Sequence, residues 1–302
     1  MSASLRAKWL IVAILVALDA AGLAYLGIDL NLAGLVRVIC AVLFLGATAA
    51  FYTYVRPNDR IVDATQTMGF LLAFFATTAV FNYILTATAL PLRDDAFATA
   101  DRALGFDWPA WLGWVHAHPL LWQVLQLAYD SAIPQMLVVT LFLAFTGRPE
   151  RNSEFLWAMM LSLAVILPVA TLWPAAGAWV QYDALEFGNR LQVQDFLAIR
   201  DGTLREIDLT ELQGLINFPS FHTTLGVLYA YALRRRGALF GIALALNLVM
   251  IASVLSEGGH YLVDLISGAA IPVAALWVTP RLERRLARRS AAKPIPGLAP
   301  AL

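Results

Sequence analysis

The sequence predicts an all-α integral membrane protein with about eight transmembrane helices. Of its 302 residues, 60% are hydrophobic and only 14% are charged, and the mean hydropathy is +0.69. A soluble domain needs a denser charged surface than this composition supplies. Apolar runs of about 20 residues recur along the chain, and that is the length of helix that crosses ~30 Å of hydrocarbon.

Eight of these runs are predicted to span the membrane. They are residues 9–27, 34–55, 66–90, 128–146, 154–174, 218–236, 238–256 and 260–279. The first two form an N-terminal unit within residues 1–65, and the other six form a core within residues 66–280. The remaining residues, 281–302, are predicted to be a basic and partly disordered cytoplasmic tail.

Two of the connecting segments are long but too polar to cross the membrane. Residues 91–127 are rich in Trp and are predicted to lie along the outer interface, in part as an amphipathic helix. Residues 175–217 are predicted to form an outer loop that leads into the sixth span. Six tryptophans on the predicted outer side have the pattern of an aromatic belt: Trp108, Trp111, Trp114, Trp122, Trp173 and Trp179.

The distribution of Lys and Arg predicts the orientation of the chain. Most of the 21 basic residues fall on one side when the number of spans is even, as in the basic clusters 234–236 and 281–293. Because cytoplasmic loops carry an excess of Lys and Arg, both termini are predicted to be cytoplasmic. A cleaved signal peptide is the alternative for the first segment, since Arg6 and Lys8 precede its apolar stretch. Asp19, within that segment, is expected near a helix end.

Two histidines lie at the predicted starts of two spans. His222 follows Pro219 and Ser220 in the run FPSFHTT, and proline is favoured at the first position of a helix. His260 follows two glycines in the run GGHYLVD, and Asp264 lies one turn further along the same helix face. By the predicted topology both helix starts face the outer side, so these residues are candidates for one shared site.

The two helix starts predict a phosphate site and phosphoryl transfer. Each start offers unpaired N–H donors and a partial positive charge, which suit an anion, and the Ser220 hydroxyl adds a further donor. Asp264 can fix the tautomer of His260 and stabilise its imidazolium, so His260 is the predicted nucleophile. His222 has no carboxylate in its own motif and is the predicted general acid–base.

The two runs resemble the paired motifs of the type 2 phosphatidic acid phosphatase (PAP2) superfamily. FPSFHTT is similar to its Pro-Ser-x-His motif, and HYLVD is similar to the His-x-x-x-Asp motif that members use to form a phosphohistidine. The His-Tyr-x-x-Asp form looks closest to the branch of inositol phosphorylceramide synthases and, more distantly, sphingomyelin synthases. The resemblance implies a six-helix PAP2-like core, a lipid phosphate substrate, and no metal or other cofactor.

The chain lacks the basic residues that bind phosphate in the family pattern. The Lys-x6-Arg-Pro motif is absent, and Val254 stands where the family has an arginine before the second histidine motif. Positive charge is therefore expected from the outer loop. Arg200 and Arg205 are favoured because they are nearest in sequence to the predicted sixth span, and Arg190 is a further candidate.

Tyr129 and Asp130 lie near the outer start of the fourth predicted span. An acidic side chain at that depth is costly and suggests a functional role. Asp130 is expected to bind a headgroup hydroxyl or to pair with an outer arginine. A purely structural pairing is the alternative.

The residues and the resemblance together predict a membrane lipid phosphatase or phosphotransferase. A water acceptor gives a phosphatase, whereas an alcohol acceptor gives a headgroup transferase, which the altered motifs favour. The expected substrate is a phospholipid, a sphingolipid or a polyprenyl phosphate. The expected location is the inner cell membrane, with the site on the extracytoplasmic side.

Composition and residue type also bear on other classes of function and partner. A net charge of zero gives no support for a nucleic-acid partner, and no protein partner is evident. A proton-coupled transporter stays open, because intramembrane polar residues are typical of such proteins. A metal site formed by two histidines and a carboxylate also stays open.

Overall fold

The computed structural model describes residues 3–291, and that range is mostly helical. Its α-helices are α1 (Ala3–Leu26), α2 (Leu32–Tyr54), α3 (Asp59–Thr86), α4 (Asp94–Ala103), α5 (Trp108–His116), α6 (Pro119–Asp130), α7 (Ala132–Phe145), α8 (Pro149–Leu172), α9 (Ala178–Gln181), α10 (Arg190–Arg200), α11 (Phe221–Ala232), α12 (Ala238–Glu257) and α13 (Leu262–Ala291). One short parallel pair, β1 (Asp29–Leu30) and β2 (Glu206–Ile207), joins the α1–α2 connection to the segment before α11. The prediction of an all-α membrane protein is confirmed.

The predicted C-terminal tail falls partly inside and partly outside the described residues. The last helix, α13, continues beyond the predicted end of the eighth span and includes residues 281–291. That part of the predicted tail is therefore helical. Residues 292–302 lie outside the described residues.

Six helices in the described range are long and apolar enough to cross a membrane: α1, α2, α3, α8, α12 and α13. The consecutive helices α6 and α7 pass the same test together but are bent by 49°, so they add a seventh if they form one broken span. α11 has 12 residues and is therefore roughly 18 Å long, short of the ~30 Å hydrocarbon core. The count of eight spans stays a prediction, as do the sides on which the termini lie.

α11 is short but lies at the centre of the bundle. It packs against α7, α8, α12 and α13, and most of its residues are buried. Apolar runs of this length are typical of buried core helices as well as of membrane segments. The side chain of Tyr229 in α11 is fully buried. Its hydroxyl donates a hydrogen bond to the carbonyl of Ala132, at the bend between α6 and α7.

The bundle has two ends with different contents. We call the end at which α11 and α13 begin the motif end, because both sequence motifs lie there. At the opposite end, Lys8 of α1 is buried and its Nζ donates to Ser153 Oγ (3.0 Å), which in turn donates to Glu283 Oε1 (2.6 Å). These bonds tie α1 to α8 and α13.

The motif end is covered by α4, α5, α9 and α10 and their connections. The aromatic-belt prediction is wrong for Trp108 and Trp179, which are 1% and 3% exposed. Both indoles donate hydrogen bonds to backbone carbonyls inside the protein. Trp114 and Trp122 are partly exposed, as a belt requires. The interfacial position of the rest of residues 91–127 stays a prediction.

Candidate active site

The first motif forms the start of α11. The helix begins at Phe221, so Pro219 precedes the helix instead of occupying its first position. Ser220 is the N-cap, and its Oγ accepts a hydrogen bond from the N–H of Thr223 (3.3 Å). Serine at this position satisfies one of the otherwise unpaired helix-start donors. In the described structure the backbone N–H groups of Phe221 and His222 have no acceptor, so they are free to bind an anion.

The second motif forms the loop that enters α13. His260 lies two residues before the helix, which begins at Leu262, and Gly259 before it has a φ of +60°. That backbone conformation strains residues with a side chain. Asp264 is fully buried, and its Oδ2 accepts from the N–H of Tyr261 (2.8 Å) and contacts His260 Nδ1 at 3.1 Å. Asp264 therefore holds the His260 ring at Nδ1, and the ring also has a hydrogen bond with the backbone of Asn217.

The starts of α11 and α13 are packed directly against each other. The N–H of Ser220 donates to the carbonyl of Asp264 (3.1 Å), and Thr224 Oγ1 donates to the carbonyl of Gly268 (2.7 Å). A Cβ at Gly268 would collide with the carbonyl oxygen of Ser220. Glycine at that position therefore allows the close approach that brings the two motifs together.

Tyr129 links the two histidines across the site. Its ring stacks on His222 with the centroids 4.4 Å apart and the planes 15° apart. A Cβ built on Gly258 would lie 2.7 Å from His260 Cδ2 and 3.2 Å from Tyr129 Cε2. The rings of His260 and Tyr129 therefore both lie beside Gly258, and His222 is close enough to His260 for a charge on one ring to act on the other. The ring nitrogens of His222 have no hydrogen-bond partner in the part of the chain described, which leaves them free for proton transfer.

The start of α13 is not a free anion site, because a carboxylate from α4 already occupies it. The two oxygens of Asp101, a fully buried residue, accept from the N–H groups of Leu262 (2.8 Å) and Val263 (3.0 Å). Burial raises the pKa of Asp101, and these two hydrogen bonds oppose the increase. The expectation of two free helix starts is therefore wrong for α13, and anion binding at the start of α11 stays a prediction.

Two buried tryptophans fix the backbone of the loop before α13. Trp108 Nε1 lies within hydrogen-bonding distance of the carbonyls of Leu255 (3.0 Å) and His260 (3.1 Å), and Trp179 Nε1 donates to the carbonyl of Ser256 (3.1 Å). Together with Asp101 they hold the residues on both sides of His260. Sequence reasoning missed these contacts.

Asp94 is a second buried carboxylate of α4 that supports the same loop. Its Oδ1 accepts from the hydroxyl of Tyr261 (2.9 Å) and from the N–H of Gly177 (2.8 Å), and its Oδ2 accepts from the N–H of Ala176 (3.0 Å). Asp94 therefore connects Tyr261, the residue after His260, to the segment between α8 and α9. We call Asp94, Asp101, Trp108 and Trp179 the loop clamp.

The three candidate arginines are not gathered at the histidines. Arg200 Nη2 donates to the carbonyl of Leu90 (2.7 Å), and its guanidinium lies over the ring of Phe196. It lines a cavity of about 20 Å³ that Asn217 and Phe218 also line. That is room for about one water and not for a phosphate. Partial burial lowers the pKa of Arg200, and Asp94 opposes that decrease.

Arg190 and Arg205 are exposed, and their side chains make no hydrogen bond or ion pair with any described residue. Asp130 is also exposed, at the end of α6. It is close enough for its charge to act on Tyr129 and on Glu257, whose Oε2 accepts from Trp122 Nε1 (3.3 Å). An arginine partner for Asp130 is not found in the described part of the chain.

Among the described residues, no group of three or more His, Cys, Asp and Glu side chains is arranged to hold a metal ion. The arrangement at the motif end instead combines one imidazole held by a buried carboxylate, a second imidazole with free nitrogens, and unpaired N–H donors. That set can supply a nucleophile, a proton carrier and an anion-binding site.

Comparison with known proteins gives one family match. The family described as the PAP2 superfamily matches residues 95–278, a range that contains both histidine motifs and most of the loop clamp. No curated protein and no solved structure matches the chain. Since the family match covers more than half of the sequence, the chain belongs to the PAP2 superfamily.

Proposed function

We propose that this protein is a membrane lipid phosphotransferase or phosphatase that forms a covalent phosphohistidine on His260. Membership of the PAP2 superfamily supports a phosphoesterase-type enzyme, and the long apolar helices fit a lipid substrate in a bilayer. The observation that carries the proposal is the contact of His260 Nδ1 with the buried Asp264, beside an imidazole whose nitrogens are free.

The first half of the reaction transfers the phosphoryl group to the enzyme. His260 Nε2 attacks phosphorus, a P–N bond forms, and the bond from phosphorus to the leaving oxygen breaks. His222 gives its proton to that oxygen, so the leaving group departs as an alcohol. Asp264 stabilises the positive charge that develops on the imidazole of His260.

The second half of the reaction returns the enzyme to its starting state. His222, now neutral, takes a proton from water or from an alcohol as that oxygen attacks phosphorus. The P–N bond then breaks, and His260 leaves as a neutral imidazole. Stacking on Tyr129 keeps the ring of His222 in one orientation through both halves, which is what a shared acid–base needs.

The phosphate oxygens are proposed to bind at the start of α11. The free N–H groups of Phe221 and His222 point from a helix start, where an anion is stabilised, and the Ser220 hydroxyl is adjacent. Arg200 remains a proposed additional ligand, and it would have to leave the Leu90 carbonyl to serve. Arg190 and Arg205 are proposed only for the outer approach to the site, together with Asp130.

The acceptor is proposed to be an alcohol, with water as the second candidate. The altered cation motifs favour the transferase branch that includes inositol phosphorylceramide synthases. The substrate is proposed to be a phospholipid, a sphingolipid or a polyprenyl phosphate. The site is proposed to face the extracytoplasmic side of the inner cell membrane, since the basic loops then lie in the cytoplasm.

Purified full-length protein and labelled lipid phosphates test this assignment. Each lipid is incubated with and without a panel of alcohols, and free phosphate and new phosphate esters of the alcohols are measured. A transferase forms the phosphate ester of the added alcohol and releases little free phosphate, whereas a phosphatase releases free phosphate in water alone. His118→Ala serves as the matched control, because His118 is exposed and lies outside the site. Absence of turnover with every lipid class would contradict the proposal.

A further inference from the structure

A large cavity lies between α1, α2 and α3 and shares no lining residue with the candidate active site. α1 and α2 each pack on α3, but no comparable contact joins α1 to α2 in the described structure. The gap between them has a volume of about 440 Å³, within the ~300–1,000 Å³ of ligand pockets. Because all three helices are candidate membrane spans, lipid is the molecule that reaches this gap.

The wall of the cavity is apolar apart from two side chains, Asp19 and Thr77. The hydroxyl of Thr77 donates to the carbonyl of Ala73 (2.9 Å) in its own helix. Asp19 is only 6% exposed, and its Oδ1 is buried without a partner in the described structure. A buried polar atom without a hydrogen bond costs free energy. A ligand that donates a hydrogen bond to Asp19 would remove that cost.

The position of Asp19 along α1 limits what that ligand can be. Asp19 lies seven residues before the end of α1 at Leu26, which places it roughly 10 Å inside the helix. The expectation that it lies near a helix end is therefore wrong. A charged headgroup carried to that depth would lose its hydration at high cost. The polar part of the occupant must be small and uncharged.

We propose that this cavity binds a neutral lipid alcohol, with its apolar chains between α1, α2 and α3 and its hydroxyl hydrogen-bonded to Asp19. The cavity runs from Leu30 and Leu209 at the motif end towards Val12 in the middle of α1, so it is open to a chain that lies along the helices. Only the biological meaning of the site rests on the proposed function: a lipid alcohol is what a lipid phosphate becomes when it loses its phosphate, and it is also an acceptor for headgroup transfer.

Photolabelling of the full-length protein tests the proposal. The His260→Ala protein is used in nanodiscs, so that binding is measured without turnover. The probe is a diacylglycerol with a diazirine in one acyl chain, and the competitors are unlabelled diacylglycerol and its O-methyl ether, which lacks the O–H donor. The expected label lies in peptides of α1 and α2, and the free alcohol competes about three- to tenfold better than the ether, the factor of one hydrogen bond.

Three variants sharpen the measurement. Asp19→Leu is expected to abolish the preference for the alcohol over the ether, and Asp19→Asn to retain part of it, because an amide still bonds a hydroxyl. Ala76→Phe fills the cavity without removing Asp19 and is expected to reduce labelling by both forms. Glu186→Gln, an exposed carboxylate outside the cavity, is the control and leaves labelling unchanged.

Equal competition by the alcohol and the ether in the Asp19-containing protein overturns the proposal, and this comparison does not depend on any variant folding. A preference that survives Asp19→Leu also overturns it. The proposed function is tested separately, by turnover of the protein that retains His260. If the alcohol binds with the expected preference but no lipid is turned over, only the proposed function is contradicted. If lipid is turned over but the alcohol is not preferred over the ether, only the proposed lipid-alcohol site is contradicted.

Discussion

The two ends of the bundle both bury polar side chains, but they satisfy them differently. At the opposite end, Lys8, Ser153 and Glu283 form a continuous chain of hydrogen bonds, although Oδ1 of the neighbouring Asn152 is buried without a partner in the described structure. At the motif end, Asp264 Oδ1 and Thr223 Oγ1 are buried without partners in the described structure, and the nitrogens of His222 are free. Fully bonded polar groups hold a fold together. Unpaired polar groups at a site lined with histidines are available to bind a ligand.

The comparison therefore separates side chains that should affect turnover from side chains that should affect stability. His260 and Asp264 belong to the first group, Lys8 to the second, and Asp101 links the two. Substitutions at each of these positions either confirm that separation or break it.

The largest effect is expected at the proposed nucleophile. His260→Ala should reduce kcat by about 10⁶-fold, as removal of a catalytic nucleophile does, because no P–N bond can form. The temperature at which half of the protein loses substrate binding should stay near that of the unsubstituted protein. Turnover of labelled lipid is the measurement, with His118→Ala as the histidine control. Retained activity in His260→Ala would refute the mechanism.

Asp264→Asn should have the next largest effect. An amide cannot stabilise the imidazolium and selects the wrong tautomer, and the corresponding change in a catalytic triad costs about 10⁴-fold in kcat. Single-turnover kinetics should show slow phosphorylation of the enzyme with little change in KM. A loss of substrate affinity with unchanged kcat would mean that Asp264 only shapes the pocket.

Asp101→Asn should have an intermediate effect through the position of His260. Replacing one acceptor by an NH₂ group disturbs the bonds to Leu262 and Val263, and a misplacement of about 1 Å can cost 10²-fold in rate. The rate of phosphorylation per folded molecule is the readout. Asp95→Asn is the matched control, because Asp95 lies in the same helix but is exposed, and within the described structure it bonds only Gln181. Equal effects of the two substitutions would remove Asp101 from the positioning machinery.

Lys8→Met should change stability and leave turnover per folded molecule unchanged. It removes a hydrogen bond from a buried charged group, a loss of about 2 kcal/mol, while the apolar stem of the side chain is kept. Thermal inactivation should therefore begin at a lower temperature. A large fall in kcat of the folded protein would show that the opposite end is coupled to the chemistry.

Removal of metal ions should have the smallest effect. The described residues contain no metal-type cluster, and the proposed steps use only imidazoles, a carboxylate and backbone N–H groups. Turnover is measured before and after dialysis against a strong chelator. Loss of activity that added metal restores would contradict the phosphohistidine route and favour the metal-site alternative.

Much of the site could be predicted from the sequence because its key contacts are local. His260 and Asp264 are four residues apart, and the cap formed by Ser220 lies within one turn of His222. The resemblance of the two motifs to a family pattern supplied the remaining predictions about the site. The length of α11 could not be predicted, because an apolar run looks the same whether lipid or other helices surround it.

The loop clamp could not be predicted because its contacts are distant in sequence. The oxygens of Asp101 bond N–H groups 161 and 162 residues further along the chain, and backbone donors leave no mark on the sequence. Trp108 and Trp179 look like interfacial anchors until their backbone partners are seen. The positions of the arginines were equally hidden, since nearness in sequence to a motif does not fix nearness in space.

The most direct test of the account is the detection of phosphate bonded to His260 during turnover. Full-length protein is mixed with labelled lipid phosphate, quenched in alkali, and mapped by mass spectrometry. The account predicts an acid-labile, alkali-stable phosphate on His260 that disappears when the acceptor alcohol is added and is absent in His260→Ala. Turnover without any phosphorylated His260, or phosphate on His222 in its place, would contradict it.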